Sequence, residues 1–326
     1  MIYILDKKEY LSNIESKGHF SLHYKWVKDL TKSLSIKEIS YNLINLKYFF
    51  FLLFLQKNKK IFLPNLSLYD RNSIFLTILS LFTPFSKKII ICHTISKVYI
   101  LNWIFFKNIK NSEIYVYNDA LKKYINEILP KNSSTKLYLA EFPNARMMHN
   151  LVSSKDNISQ KKEINIIEPL KFLCWGSPLN KIDLKKIRYL LNNYIEDLTI
   201  IGNYKILYQI KKEYPNKVTH IERADDIELA NILKRSDVNL MVLKDDHDFY
   251  IKKYASSGIY MTSLMFNIPS LIWCNLDVHY DEITSDTASI IIKKKSQIDK
   301  IKDIFITKRK AVDRIYRTKI NLDFLN

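Results

Sequence analysis

Short apolar runs alternate with stretches of helical period along most of the chain, and the clearest series lies in the C-terminal half. An apolar strand, Lys171-Phe-Leu-Cys-Trp175, runs through the turn Gly176-Ser-Pro-Leu-Asn-Lys181 into a basic helical segment ending near Ile187. Asp197-Leu-Thr-Ile-Ile-Gly202 reads as a second strand closed by glycine, and Val218-Thr-His-Ile221 as a third. Residues 225–235 have helical spacing, residues 237–243 read as a fourth strand, and the acidic loop Lys244-Asp-Asp-His-Asp248 follows. The last unit of the series is a helix start at Ser256-Ser-Gly258 and a strand entered through Pro269. Strands alternating with helices in this way predict a parallel sheet, with ligands at the carboxyl ends of its strands.

The N-terminal half carries the same alternation. Residues 2–5 read as a first strand, 20–34 as a helix, and 60–63, 88–92 and 113–117 as further strands. Helical segments are expected at 39–56, 71–81 and 120–129. A second doubly wound domain follows from that order. At 326 residues the chain exceeds a usual single core. The polar stretch 151–168 is the linker candidate, which places one domain over 1–150 and the other over 169–326. After Ile292 the tail reads as a strand end followed by amphipathic helices, and no internal repeat stands out.

The order of elements over residues 170–275 resembles the donor domain of GT-B-fold glycosyltransferases, in particular the bacterial polysaccharide and lipopolysaccharide type known as glycosyl transferases group 1. Gly176 matches the glycine turn after the first strand, and Lys181 the basic residue near the donor diphosphate. Ser257-Gly258 is similar to the family's helix start, and Phe266-Asn-Ile-Pro-Ser-Leu-Ile272 to its following strand entry, with Asn267 where glycine is usual. Many retaining members carry two glutamates eight residues apart around this helix; Tyr254 and Thr262 stand at those positions, so inversion and retention both stay open. The resemblance implies an α/β chain of GT-B architecture, two doubly wound Rossmann-like domains facing across a cleft. It also implies a nucleotide-diphosphate-sugar donor in the C-terminal domain, with an acceptor hydroxyl on a growing cell-surface glycan, such as capsule or lipopolysaccharide, or on a lipid-linked molecule.

Such a transfer builds charge on the departing diphosphate, which calls for N–H or cationic donors set in advance. Helix N-termini supply both free N–H groups and a favourable dipole. Ser256, Ser257 and Gly258 fit that need, as do Gly176, Ser177, Lys181 and Gly202 at strand ends, with glycine allowing close approach of backbone to an anion. An ordinary N-cap and a plain strand-to-helix turn explain the same residues equally simply. For the base that deprotonates the acceptor, His93 follows the strand 89–92, while His19 and His23 follow the first strand. Asp70 also follows a strand and is a candidate acceptor contact. The cluster Asp245-Asp-His-Asp248 is read as a polar cleft loop, and neither metal nor cofactor is expected.

Charge changes the picture in one respect. Residues 1–150 hold 22 Lys and Arg against 10 Asp and Glu, whereas residues 151–326 hold 29 against 23. A basic, aromatic-rich N-terminal half suits an anionic membrane surface, and a solvated lysine face accounts for the same counts. No zinc-finger or RNA-recognition signature points to nucleic acid. The longest apolar run, residues 48–55, is too short to span a bilayer. The strand-like start lacks a signal peptide's basic and apolar regions, so a cytoplasmic protein, peripheral on the inner membrane face, is expected. Cys92, Cys174 and Cys274 lie far apart in or beside apolar strands and read as buried thiols. A dehydrogenase or epimerase acting on nucleotide sugars would need a Gly-x-Gly-x-x-Gly after residues 2–5, and none is there. A catalytically silent partner protein of the same fold is the remaining alternative.

Overall fold

A computed structural model of the chain describes residues 2–6, 19–40, 60–67, 86–95, 99–117, 119–153, 169–176, 182–244, 258–266, 268–273, 290–292, 294–295, 297, 320 and 323–325. Strands β1 (Ile2–Asp6), β2 (Ile36–Ser40), β3 (Lys60–Ser67), β4 (Lys87–Thr94), β5 (Ser112–Val116) and β6 (Lys136–Leu139) form a six-stranded sheet in the order β2-β1-β3-β4-β5-β6. All of its pairings are parallel. A parallel sheet covered on both faces needs apolar residues at consecutive positions, and Ile89, Ile90 and Ile91 are all fully buried. Helices α1 (His19–Thr31), α2 (Tyr99–Asn108) and α3 (Asp119–Ile128) are the described crossovers of this sheet. Leu121 and Ile125, one turn apart on α3, and Phe105 and Phe106 of α2 complete its core.

Helix α4 (Pro143–Ser153) leads to the second series: β7 (Lys171–Trp175), α5 (Leu184–Asn193), β8 (Asp197–Ile201), α6 (Lys205–Glu213), β9 (Val218–Ile221), α7 (Asp226–Arg235), β10 (Val238–Val242), α8 (Gly258–Met265), β11 (Ser270–Trp273) and β12 (Ile290–Ile292). These strands form a second six-stranded parallel sheet in the order β12-β11-β10-β7-β8-β9. That is the Rossmann order, in which the chain winds to one side of β7 and then to the other, so the switch point lies between β7 and β10. Two side chains start helices here: the Asp183 carboxylate accepts from the amides of Lys185 and Lys186, and that of Asp225 from Ile227 and Glu228. A bidentate pair, Arg188 Nε and Nη2 on the two oxygens of Glu213 at 2.7 and 2.8 Å, joins α5 to α6.

The chain divides into two compact units, one of Met1–Asn144, Tyr254–Ser256 and Tyr316–Asn326, the other of Ala145–Lys253 and Ser257–Ile315. The α/β class expected from the patterning is what both sheets display. One correction concerns residues 39–56, read above as helical: Ile39 and Ser40 belong to strand β2, where β-branched residues at Ile36 and Ile39 suit an edge strand beside β1. The remainder of that segment, the apolar run 48–55, the helical reading of 71–81 and most of the candidate linker lie outside the described residues.

Candidate functional site

Three glycines singled out in the sequence stand at the carboxyl edge of the second sheet. Trp175 and Ile201 are register partners at the ends of β7 and β8, so Gly176 and Gly202, each one residue further on, are neighbours. Gly176 has φ of 100°, a left-handed conformation that a Cβ disfavours, and it turns the chain away from the strand end. Gly258 is the first residue of α8, the crossover between β10 and β11, so this helix starts on the same edge. An N-terminus there directs free N–H groups and the positive end of a helix dipole towards the carboxyl side of the sheet. Within α8, Thr262 Oγ1 donates to the carbonyl of Gly258 at 2.7 Å and Ser263 Oγ to that of Ile259 at 2.9 Å. Both hydroxyls are thus engaged by their own helix.

The switch point itself is closed by a set of ties that the sequence reading did not anticipate. Ile182 forms an isolated antiparallel bridge with Leu243, and the Asp183 amide donates to the carbonyl of Val242 at 3.2 Å. The Leu243 amide donates in turn to the Trp273 carbonyl at 3.1 Å. Lys186, a buried residue on the first turn of α5, donates from Nζ to the carbonyl of Leu243 at 3.0 Å, lies 3.8 Å from Asp183 Oδ2, and sits 5.7 Å from the centroid of the Trp273 ring. The end of the Gly176 loop and the exit of β10 are therefore one hydrogen-bonded assembly. Helical spacing held the signal for Lys186: it stands one turn before Leu190, on the stripe that α5 buries.

On the far side of β8, His220 Nε2 is 2.7 Å from the carbonyl of Gly202, and its ring meets Tyr208 edge to face at 4.5 Å. A hydrogen bond from the Tyr208 hydroxyl to Glu222 raises the tyrosine's pKa. Cys174, on β7, is buried and pushed up to about 12 by desolvation; Cys92, on β4, is also buried and raised for the same reason. Neither thiol is placed or ionised to act as a nucleophile.

In the first unit, His93 is the penultimate residue of β4, at its carboxyl end. His19 is the first residue of α1, which begins on the carboxyl side because it returns the chain from β1 to the parallel strand β2. Asp70, Ser177, Lys181, Ser256 and Ser257 lie outside the described residues, as does the cluster 245–248. Among the described residues, no group of three or more His, Cys, Asp or Glu is arranged to hold a metal ion.

Two parallel six-stranded sheets, one of Rossmann order, match solved structures over almost the whole chain. A sucrose-phosphate synthase from Thermosynechococcus elongatus aligns with a TM-score of 0.54 and 10% identity, covering 96% of this chain and 92% of that one. A glycosyltransferase from Rickettsia africae aligns with a TM-score of 0.54 and 10% identity, covering 96% and 91%. Anabaena HepE, in a complex with UDP and glucose, aligns with a TM-score of 0.52 and 8% identity over 95% and 91%. This chain has the GT-B fold. No protein-family model and no curated protein matches the sequence. At these identities the GT-B likeness is one of architecture.

Proposed function

We propose that this protein is a glycosyltransferase that moves a sugar from a nucleoside-diphosphate donor to an acceptor hydroxyl on a cell-surface glycan or lipid-linked molecule. The observation that carries the reading is the carboxyl edge of the second sheet, where Gly176, Gly202 and the glycine-led start of α8 converge in a GT-B chain. A diphosphate fits there because backbone N–H groups and a helix dipole stabilise the negative charge that grows as the glycosidic bond to phosphate breaks. Ser177, Lys181, Ser256 and Ser257 flank these glycines in the sequence and are assigned to the same phosphates. His93, or His19 in its place, removes the proton of the attacking hydroxyl from the first unit, and Asp70 helps to orient the acceptor. The diphosphate leaves without a metal ion, its charge met by N–H groups and Lys181. An anionic membrane surface on the cytoplasmic side suits the basic first unit and a lipid-linked acceptor.

The silent-partner reading draws on one feature, Thr262. Its hydroxyl is spent on Gly258 where many retaining members offer a glutamate. Donor hydrolysis screened across UDP-, GDP-, dTDP- and CMP-sugars separates the two. Turnover with one donor, lost with retained folding in Gly258→Val, is the expected result; a side chain at that position blocks approach of the diphosphate. His93→Ala or His19→Ala should lower turnover by about 10²–10⁴-fold. Binding of no nucleotide at all would favour the silent partner, and binding of NAD alone would move the chain to oxidation–reduction.

A further inference from the structure

Helix α2 divides its residues in an unusual way. Phe105 and Phe106 are buried in the core of the first unit and Asn102 is buried with Nδ2 donating to the Tyr124 hydroxyl at 3.3 Å, yet Ile100 is 60% and Trp103 39% exposed. Ile100, Trp103 and Lys107 fall at i, i+3 and i+7, so they share one outward stripe. The Lys107 ammonium sits 4.1 Å from the centroid of the Trp103 indole, and Lys107 is itself exposed. An exposed branched aliphatic, an indole and a lysine in line form a pattern suited to a polar–apolar boundary: the first two enter an apolar layer, and the ammonium keeps its charge at the headgroups.

The surrounding sequence supplies the sign of the partner. From Arg71 to Ser112 the chain holds six Lys and Arg and no Asp or Glu. Of these, Lys107 on the helix and Lys110 just after it are exposed while Lys88 is buried, so the C-terminal end of the helix attracts anions, and the stretch offers no carboxylate of its own to repel them. We infer that the outward stripe of α2, Ile100, Trp103 and Lys107, is a docking edge that seats in the headgroup layer of an anionic lipid bilayer. This rests on the membrane part of the function proposed above and assigns it to a surface other than the apolar run 48–55.

The test uses the full-length protein with vesicles of phosphatidylcholine alone or mixed with phosphatidylglycerol, at low and high salt. Wild type should float with the anionic vesicles at low salt and be released as salt rises. Ile100→Ser/Trp103→Ser should lower the bound fraction about tenfold while circular dichroism stays unchanged. Lys107→Glu, a second route that removes no apolar surface, should weaken binding to anionic vesicles and leave the neutral ones unaffected. Equal flotation of the double variant and wild type overturns the assignment, as does absence of wild type from the anionic fraction. A dimer that sediments as a monomer once the pair is replaced, with no vesicle binding in either form, overturns it too and assigns the stripe to a second copy. Donor-nucleotide titration of the same samples keeps the two proposals apart, because a wild type that binds nucleotide yet stays out of the anionic vesicle fraction sinks only the docking edge.

Discussion

Among the described residues, Lys88 is the most deeply buried lysine. Its side chain is buried at the start of β4, where Nζ donates to the carbonyls of Ser86 at 2.8 Å and Lys110 at 3.2 Å, and burial brings its pKa down to about 7. In the unfolded chain the same amine holds its proton to about 10.5. Between those values the unfolded state binds more protons than the folded one, so stability rises with pH, by up to about 1.4 kcal/mol per unit for one proton. Below that window the cost of burying the ammonium is fully present, and above it the amine is neutral in both states. Urea unfolding from pH 7 to 10 should show wild type gaining on Lys88→Met across that range; parallel curves for the two proteins would contradict the assignment.

Among elements, α5 is the one on which the proposed donor site depends. Its first turn holds Lys186, whose ammonium reaches the Leu243 carbonyl at 3.0 Å, so the helix is bonded to the exit of β10 as well as packed on the sheet. Lys186→Met removes the donor and leaves a buried carbonyl to find another, which costs about 1–3 kcal/mol. Thermal unfolding should register that loss, and nucleotide affinity should fall with it, because the Gly176 loop ends on the same assembly. Stability and affinity both equal to wild type would show the tie to be idle. Much of this element was legible beforehand: β7, the Gly176 turn and the basic helix were read from an apolar run, a glycine and a periodic stripe. Other elements carried weaker signals. Strand β6 has four residues, none of them fully buried, so its alternation is faint. Helix α2 is apolar on nearly every side and shows little amphipathic contrast in the sequence, while α6 has Tyr204 at its N-cap with no side-chain cap and buries only Leu207 and Ile210. The ties around Lys186 join residues 57 positions apart, a distance at which local patterning is silent.

At the scale of the whole molecule, neither unit is a single stretch of sequence. Tyr316–Asn326 belongs to the first unit although it follows the second, and its turn Asp323–Leu325 places Phe324 beneath the Lys87 ammonium at 5.6 Å from the ring centroid. The charge of Asp323 also adds to the upward shift of the Tyr115 hydroxyl, behind burial and the hydrogen bond to Glu113. Deleting residues 316–326 should therefore weaken the first unit, despite their attachment to the second. Unfolding followed by calorimetry should show the transition of the first unit lowered by roughly 2–4 °C per kcal/mol lost and that of the second unchanged. A drop confined to the second transition would place the tail elsewhere.

The interleaved boundaries have a consequence for how the protein is made. A ribosome releases the chain from its N-terminus at about 5–20 residues per second, and domains tend to fold as they emerge. The sheet of the first unit can assemble early, but two of its pieces, Tyr254–Ser256 and Tyr316–Asn326, leave the ribosome only with or after the second unit. Its completion is thus a late, long-range step, and a nascent chain arrested before Tyr316 would hold every residue of the second unit while the first still lacks its last segment.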